Sequence, residues 1–163
     1  MRVAILTVSD SVVSGTREDL SGQAIADWCA ARGYDIAARS TASDDTSVIV
    51  PQLCVWCDSG EVDLVLSTGG TGLSPRDVTP EATIAVIDRE AQGIAEYLRA
   101  AAFERFPRAA LSRAVAGTRG RTLIVNLPGS PGGVRDSLAA LESIVDHAVD
   151  VLKGKTSHDE SVK

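Results

Sequence analysis

The 163-residue chain reads as a single α/β domain, a three-layer α/β/α sandwich around a mostly parallel sheet. Two observations predict this. Short runs of Val, Ala, Ile and Leu alternate with helix-patterned segments along the whole sequence. Hydrophobic residues make up 44% of the chain, enough to bury a core, and no repeat, linker or low-complexity tract divides it. Connections between successive strands are expected to cross over right-handed.

The elements follow in order. Arg2–Thr7 is a short apolar run bounded by polar residues, the pattern of a buried strand. Residues 1–9 also resemble the start of a signal peptide, but the apolar run is short, enters Ser9-Asp10-Ser11 and has no small-residue cleavage site after it. The strand reading is the better one, and it implies a cytoplasmic protein. Leu20–Arg32 places Ala24, Ile25, Trp28 and Cys29 on one helical face, and Gly33 ends it. Tyr34–Thr41 is a second strand, less apolar and so nearer an edge. Asp45–Cys57 is helical, with Pro51 in its first turn or at a kink. Val62–Ser67 is the clearest strand. A helical stretch runs from Pro80 to about Glu104, split at Gly93. Arg113–Val115 and Thr122–Asn126 are strands around the turn Gly117–Gly120. One last helix spans Gly133 to Lys153, so residues 1–153 form the domain and 154–163 a polar tail.

The net charge of −6 and pI near 4.9 disfavour nucleic acid as a partner, because a phosphate backbone demands a basic surface. No apolar run could cross a membrane. Three cysteines argue against a disulfide framework, and Cys54-Val-Trp-Cys57 reads as helix packing rather than a redox or metal pair.

Three loops leave strands in ways that suggest chemistry, since ligands in open α/β sheets bind beyond the carboxyl ends of strands. In Ser67 to Glu81 a buried strand runs straight into Thr68, Gly69, Gly70, Thr71 and Gly72. Glycines allow close ligand approach, and successive amides can cradle an anion. Thr68, Thr71 and Ser74 add hydroxyls, and Arg76 could pair with phosphate. The loop is neither a Walker A motif nor a dinucleotide fingerprint. Asp77 follows, then Thr79 as a helix N-cap and Pro80 at the first helical position. A carboxylate beside phosphates makes sense when Mg²⁺ bridges them. The second loop, Asn126 through Pro128, Gly129, Ser130, Gly132 and Gly133, opens the last helix and again favours an anion. The third runs from Ser9 and Asp10 to Ser21 and Gly22, where Asp19-Leu20-Ser21-Gly22 can cap a helix. Asp44 is a further candidate metal ligand, and Asp45 a plain N-cap. Neither His147 nor His158 supports a catalytic triad. From the residues alone, the chain is a Mg²⁺-assisted enzyme acting on a phosphorylated ligand.

These motifs, with Leu111-Ser-Arg113, occur in the order and spacing of the molybdopterin adenylyltransferase family, which the chain resembles over residues 2–153. The resemblance implies transfer of AMP from Mg-ATP to the terminal phosphate of molybdopterin, and often a homotrimer that works beside other molybdenum-cofactor proteins. It maps the family's two functional aspartates onto Asp77 and Asp44 as catalytic and metal-holding residues, and ligand contacts onto the three loops. Two positions depart from it: Ser43-Asp44, where relatives often carry Pro-Asp, and Ala91-Gln92-Gly93, where a proline commonly precedes the glycine. Two other readings remain: a protein that binds molybdopterin or serves as a trimeric scaffold without transferring AMP, or a related hydrolase of pyrophosphate bonds. Intact Asp44 and Asp77 favour an enzyme; the Asp19-x-Ser-Gly22 segment and the length favour the transferase.

Overall fold

The computed structural model describes residues 1–103 and 105–155. Six strands form one mixed sheet in the order β2-β1-β3-β6-β5-β4. They are β1 (Arg2–Val8), β2 (Asp35–Ala42), β3 (Leu64–Thr68), β4 (Arg89–Glu90), β5 (Ala116–Arg119) and β6 (Thr122–Leu127). Strands β2, β1, β3 and β6 run parallel, while β5 and β4 add an antiparallel edge. The helices are α1 (Asp10–Val13), α2 (Leu20–Ala31), α3 (Thr46–Asp58), α4 (Thr79–Ile84), α5 (Gln92–Phe103), α6 (Pro131–Leu141) and α7 (Val145–Leu152), with a 3-10 turn at Pro107–Leu111.

Alternation along the central strands assigns the layers. Val3, Ile5, Leu64, Leu66, Leu123 and Val125 face one core with α2, α5, α6 and α7. Ala4, Leu6, Val65 and Ile124 face the other with α3 and α4. Strand β2 is the parallel edge, which accounts for its weaker apolar pattern.

Several expected boundaries move. The stretch from Pro80 onward breaks at Ala85–Ala91 rather than at Gly93, because Asp88 and Ala91 donate backbone bonds to Thr118 and Ala116 and pair β4 to the sheet. Gly93 lies in the first turn of α5; residue 104, the expected end, lies outside the described residues. The fifth strand lies at 116–119, not 113–115, and the turn is Gly120-Arg121, with Gly120 at φ +55° between the paired Arg119 and Thr122. The last helix starts at Pro131, capped by Ser130, and breaks between Leu141 and Val145. Thr79 is the first residue of α4 rather than its cap, and Pro80 the second. Pro51 sits well inside α3, exposed. The short α1 carried no sequence signal. The tail beyond Lys155, with His158, lies outside the described residues.

Cys29 and Cys57 are buried, and burial pushes their thiols up to about 11 and about 12. Cys54 is half-buried on the same helix as Cys57. Among the described residues no helix is long and apolar enough to cross a membrane.

Candidate active site

The chain crosses from β1 out to β2 and back to β3 on the other side of β1, which opens a crevice at the carboxyl ends of the parallel strands. The three sequence-predicted loops meet there. Gly69 is the pivot of the glycine loop. Its φ is +97°, and a Cβ on it would collide with the Val8 carbonyl oxygen at the end of β1. Gly129 in the loop after β6 comes so near that its own Cβ would lie 3.2 Å from the Gly69 Cα. Three loops therefore pack backbone against backbone, which only glycine allows.

Side chains lock this packing. Thr68 donates to the Pro128 carbonyl at 2.6 Å, Ser21 to the Gly129 carbonyl at 2.9 Å, and Thr79 to the Gly69 carbonyl at 2.8 Å. Asp19 caps α2 through the Gly22 amide at 2.8 Å and accepts from Thr7 at 3.0 Å. Arg113 braces the glycine loop from below. It donates to the Gly72 carbonyl at 2.8 Å and the Asp77 carbonyl at 2.6 Å, and pairs with Glu81.

Two aspartates flank the loop. The Asp44 carboxylate would lie 3.0 Å from a Cβ on Gly70, and that of Asp77 2.8 Å from one on Gly72. Asp77 accepts from the Ser74 amide at 2.9 Å, which folds its carboxylate back over its own loop. Asp44 and Asp10 exchange backbone amides: Asp10 N–H donates to Asp44 at 2.9 Å and Asp44 N–H to Asp10 at 3.0 Å. Burial raises the Asp44 carboxyl above the ordinary aspartate value, and the charges of Asp10 and Asp77 add to that. Arg76 donates to Asp10 at 2.6 Å and holds that carboxyl low.

Two cavities open side by side. The smaller, about 190 Å³, is polar and lined by Ser9, Ser21, Thr68, Asp44 and segment 17–20 among others. The larger, about 650 Å³, lies between the 3-10 turn and the start of α6. Thr71, Gly72, Pro128, Ser130, Gly132 and Gly133 line it opposite Phe106, Leu111, Arg105 and Arg108. Gly70, Asp77 and Gly129 belong to both and form the ridge between them.

Five sequence-predicted residues line neither cavity. Asp10 and Arg76 pair with each other, Gly22 serves the α2 cap, and Ser74 shapes the Asp77 turn. Asn126 is buried; it donates to Ser67 at 2.8 Å and Thr83 at 2.9 Å and accepts from the Val115 amide. It ties β6 to β3, α4 and the start of β5 rather than facing ligand. Conversely, Arg17, Glu18, Arg105 and Arg108 line the cavities, although charged loop residues without a motif gave no sequence signal.

Asp44 and Asp77 supply hard oxygen donors to one cavity, which suits a divalent cation such as Mg²⁺. Among the described residues no third His, Cys, Asp or Glu completes a metal cluster. A Mg²⁺ ion there would take its remaining oxygens from phosphates and water, its usual habit.

The fold and site thus define an α/β protein with two adjoining cavities at the carboxyl ends of its parallel strands. Residues 4–147 match the family described as "Probable molybdopterin binding domain", and the chain belongs to that family. It is 37% identical over 161 residues to the molybdopterin adenylyltransferase of Helicobacter pylori J99, covering 94% of this chain and 89% of that one. It is 35% identical over 152 residues to the molybdopterin adenylyltransferase of Escherichia coli K12, covering 91% and 77%. The crystal structure of the molybdopterin biosynthesis enzyme MoaB from Thermus thermophilus superposes with a TM-score of 0.89 at 48% identity, covering 94% and 96%.

Proposed function

We propose that this protein is a molybdopterin adenylyltransferase of molybdenum cofactor biosynthesis. It transfers AMP from Mg-ATP to the terminal phosphate of molybdopterin and releases pyrophosphate. The observation that carries this reading is the pair of cavities meeting at Asp77: two substrates with phosphate tails can lie side by side, their phosphates converging on one ridge. The names of the relatives from Helicobacter pylori and Escherichia coli support it.

A phosphate oxygen of molybdopterin attacks the α-phosphorus of ATP, and the bond to the β-phosphate breaks as pyrophosphate leaves. The attacking oxygen is already anionic at neutral pH, so the step needs no general base; among the described residues neither cavity is lined by a histidine. The chain's task is positioning and charge control. Bound Mg²⁺ would supply positive charge to the phosphates, held by Asp44 and Asp77. The Gly70, Thr71 and Gly72 amides and the Thr71 hydroxyl present donors along the ridge, while the Gly69 amide is taken up by the Leu127 carbonyl. The wider, more apolar groove beside Phe106 and Leu111 accepts a planar ring. Cytoplasmic location and a homotrimer belong to the same proposal, the latter checked by sedimentation mass.

The test is incubation of the purified protein with molybdopterin and Mg-ATP, followed by detection of adenylylated molybdopterin and pyrophosphate. Asp77→Asn keeps an acceptor for the Ser74 amide but loses the charge. It should lower turnover at least a hundredfold with the circular dichroism spectrum unchanged. Molybdopterin bound without adenylylated product would indicate a binding protein instead.

A further inference from the structure

We propose that Arg17, in the loop between α1 and α2, is the side chain that meets the phosphate chain of the nucleotide in the smaller cavity. The assignment rests on the transfer reading above. Among the described residues that cavity is lined by four carboxylates, Glu18, Asp19, Asp44 and Asp77, and by one arginine, Arg17. A polyphosphate entering such a site meets repulsion from these carboxylates. Cations must offset it, and the neighbouring arginines are committed elsewhere. Arg76 is tied to Asp10 at 2.6 Å. Arg39 is shared between Asp19 and Gln23, at 3.0 Å each. Arg113 is spent on the glycine loop and Glu81. None of these three lines the cavity.

Arg17 differs on both counts. It lines the cavity, and among the described residues it makes no ion pair. Its backbone, by contrast, is held. The Arg17 and Thr16 amides both donate to the Ser11 carbonyl at 3.0 Å, and Gly15 turns the loop at φ +72°. A fixed base carrying an uncommitted guanidinium is suited to phosphate, because the planar fork can donate two parallel bonds to its oxygens. The sequence pattern pointed instead to Arg76, whose neighbour Asp77 is at the site but whose own guanidinium is not.

The experiment is calorimetric titration of Mg-ATP into the full-length protein, together with steady-state kinetics, for wild type, Arg17→Ala, Arg17→Lys and Arg121→Ala. Arg121 lies in the β5–β6 turn and controls for loss of one positive charge. Arg17→Ala should weaken Mg-ATP binding about tenfold, the worth of one charge-assisted contact. Its KM for ATP should rise more than kcat falls, with KM for molybdopterin unmoved. Arg17→Lys should recover part of the affinity, since it keeps the charge but not the fork. Equal weakening by Arg121→Ala, unchanged affinity in Arg17→Ala, or a rise in KM for molybdopterin instead of ATP would each overturn the assignment. A wild type whose Mg-ATP binding depends on Arg17 but which forms no product would uphold the assignment and overturn only the transfer reading.

Discussion

Arg113 stands 36 positions beyond Asp77, yet it holds the main chain of the glycine loop in place. Its guanidinium joins the Gly72 and Asp77 carbonyls to Glu81, and its own amide donates to the Thr71 carbonyl at 2.8 Å. Arg113→Ala leaves those two carbonyls to water and frees the loop beneath Asp77. The expected cost is about 1–2 kcal/mol of stability, from two lost hydrogen bonds, with a larger proportional loss of AMP transfer. Arg113→Lys keeps the charge beside Glu81 but cannot reach both carbonyls, so its turnover should stay below wild type. Urea unfolding midpoints and turnover measured together check this; wild-type turnover in Arg113→Ala would show that the glycine loop holds itself. At this scale the sequence is legible where backbone chemistry is restrictive. Gly69, Gly70 and Asp77 stand out because few residues can occupy a tight strand-to-helix turn. The same sequence hides Arg17, and it marks Arg113 as part of a motif without showing what it braces, because an arginine's reach spans several possible partners and only the fold selects one. Asn126 is the converse case: its place beside a glycine-proline loop suggests a ligand contact, yet its amide is consumed by Ser67 and Thr83 in the interior.

Elements were legible wherever burial imposes a period, as in β1, β3 and β6, whose apolar runs mark strands covered on both faces. Breaks between elements were harder to see when the apolar stripe continued through them. Helices α6 and α7 pack on the same side of the sheet, so Leu138, Leu141, Val145 and Val149 join one core despite the break. Strand β4 has only two residues and no period to detect. Helix α3 carries a visible local conflict. Pro51 is its sixth residue, too late for the tolerated first turn, and its missing N–H leaves the Ser47 carbonyl without its helical donor. Its ring is exposed, so little packing compensates. Pro51→Ala restores that bond and removes the ring's clash with the preceding turn. A gain of about 1–2 kcal/mol is expected, less than the full propensity difference because proline also restricts the unfolded chain. Thermal unfolding checks the sign; a lower melting temperature would mean that the helix is shaped around the proline.

At the scale of the whole molecule, the two ends of the sheet have different tasks. The carboxyl end of the parallel strands carries the site, while the amino end is closed by Asp63. This buried carboxylate accepts from the Arg2 backbone amide at 2.8 Å and its guanidinium at 2.9 Å, and from Lys153 at 2.9 Å. It thereby ties the first strand and the end of the last helix to the start of β3. Burial alone would raise its carboxyl, but the hydrogen bonds from Arg2 and Lys153 outweigh that and hold it far below the ordinary aspartate value. A carboxyl depressed in the folded state stabilises the fold wherever the unfolded chain's aspartate is ionised, above about pH 4. That contribution fades as the pH falls below about 4 and protons bind the unfolded chain first. Asp63→Asn removes the charge and leaves two cations facing a neutral amide. It should cost about 3 kcal/mol at pH 7, the low end for breaking a buried pair, because both cations are partly exposed. The difference between wild type and variant should then shrink as the pH is lowered from 5 toward 2, since the wild type alone loses this term. Urea titrations of both proteins across that range measure it. A gap that stays constant with pH would mean that Asp63 holds the chain ends through shape and hydrogen bonding rather than through its charge.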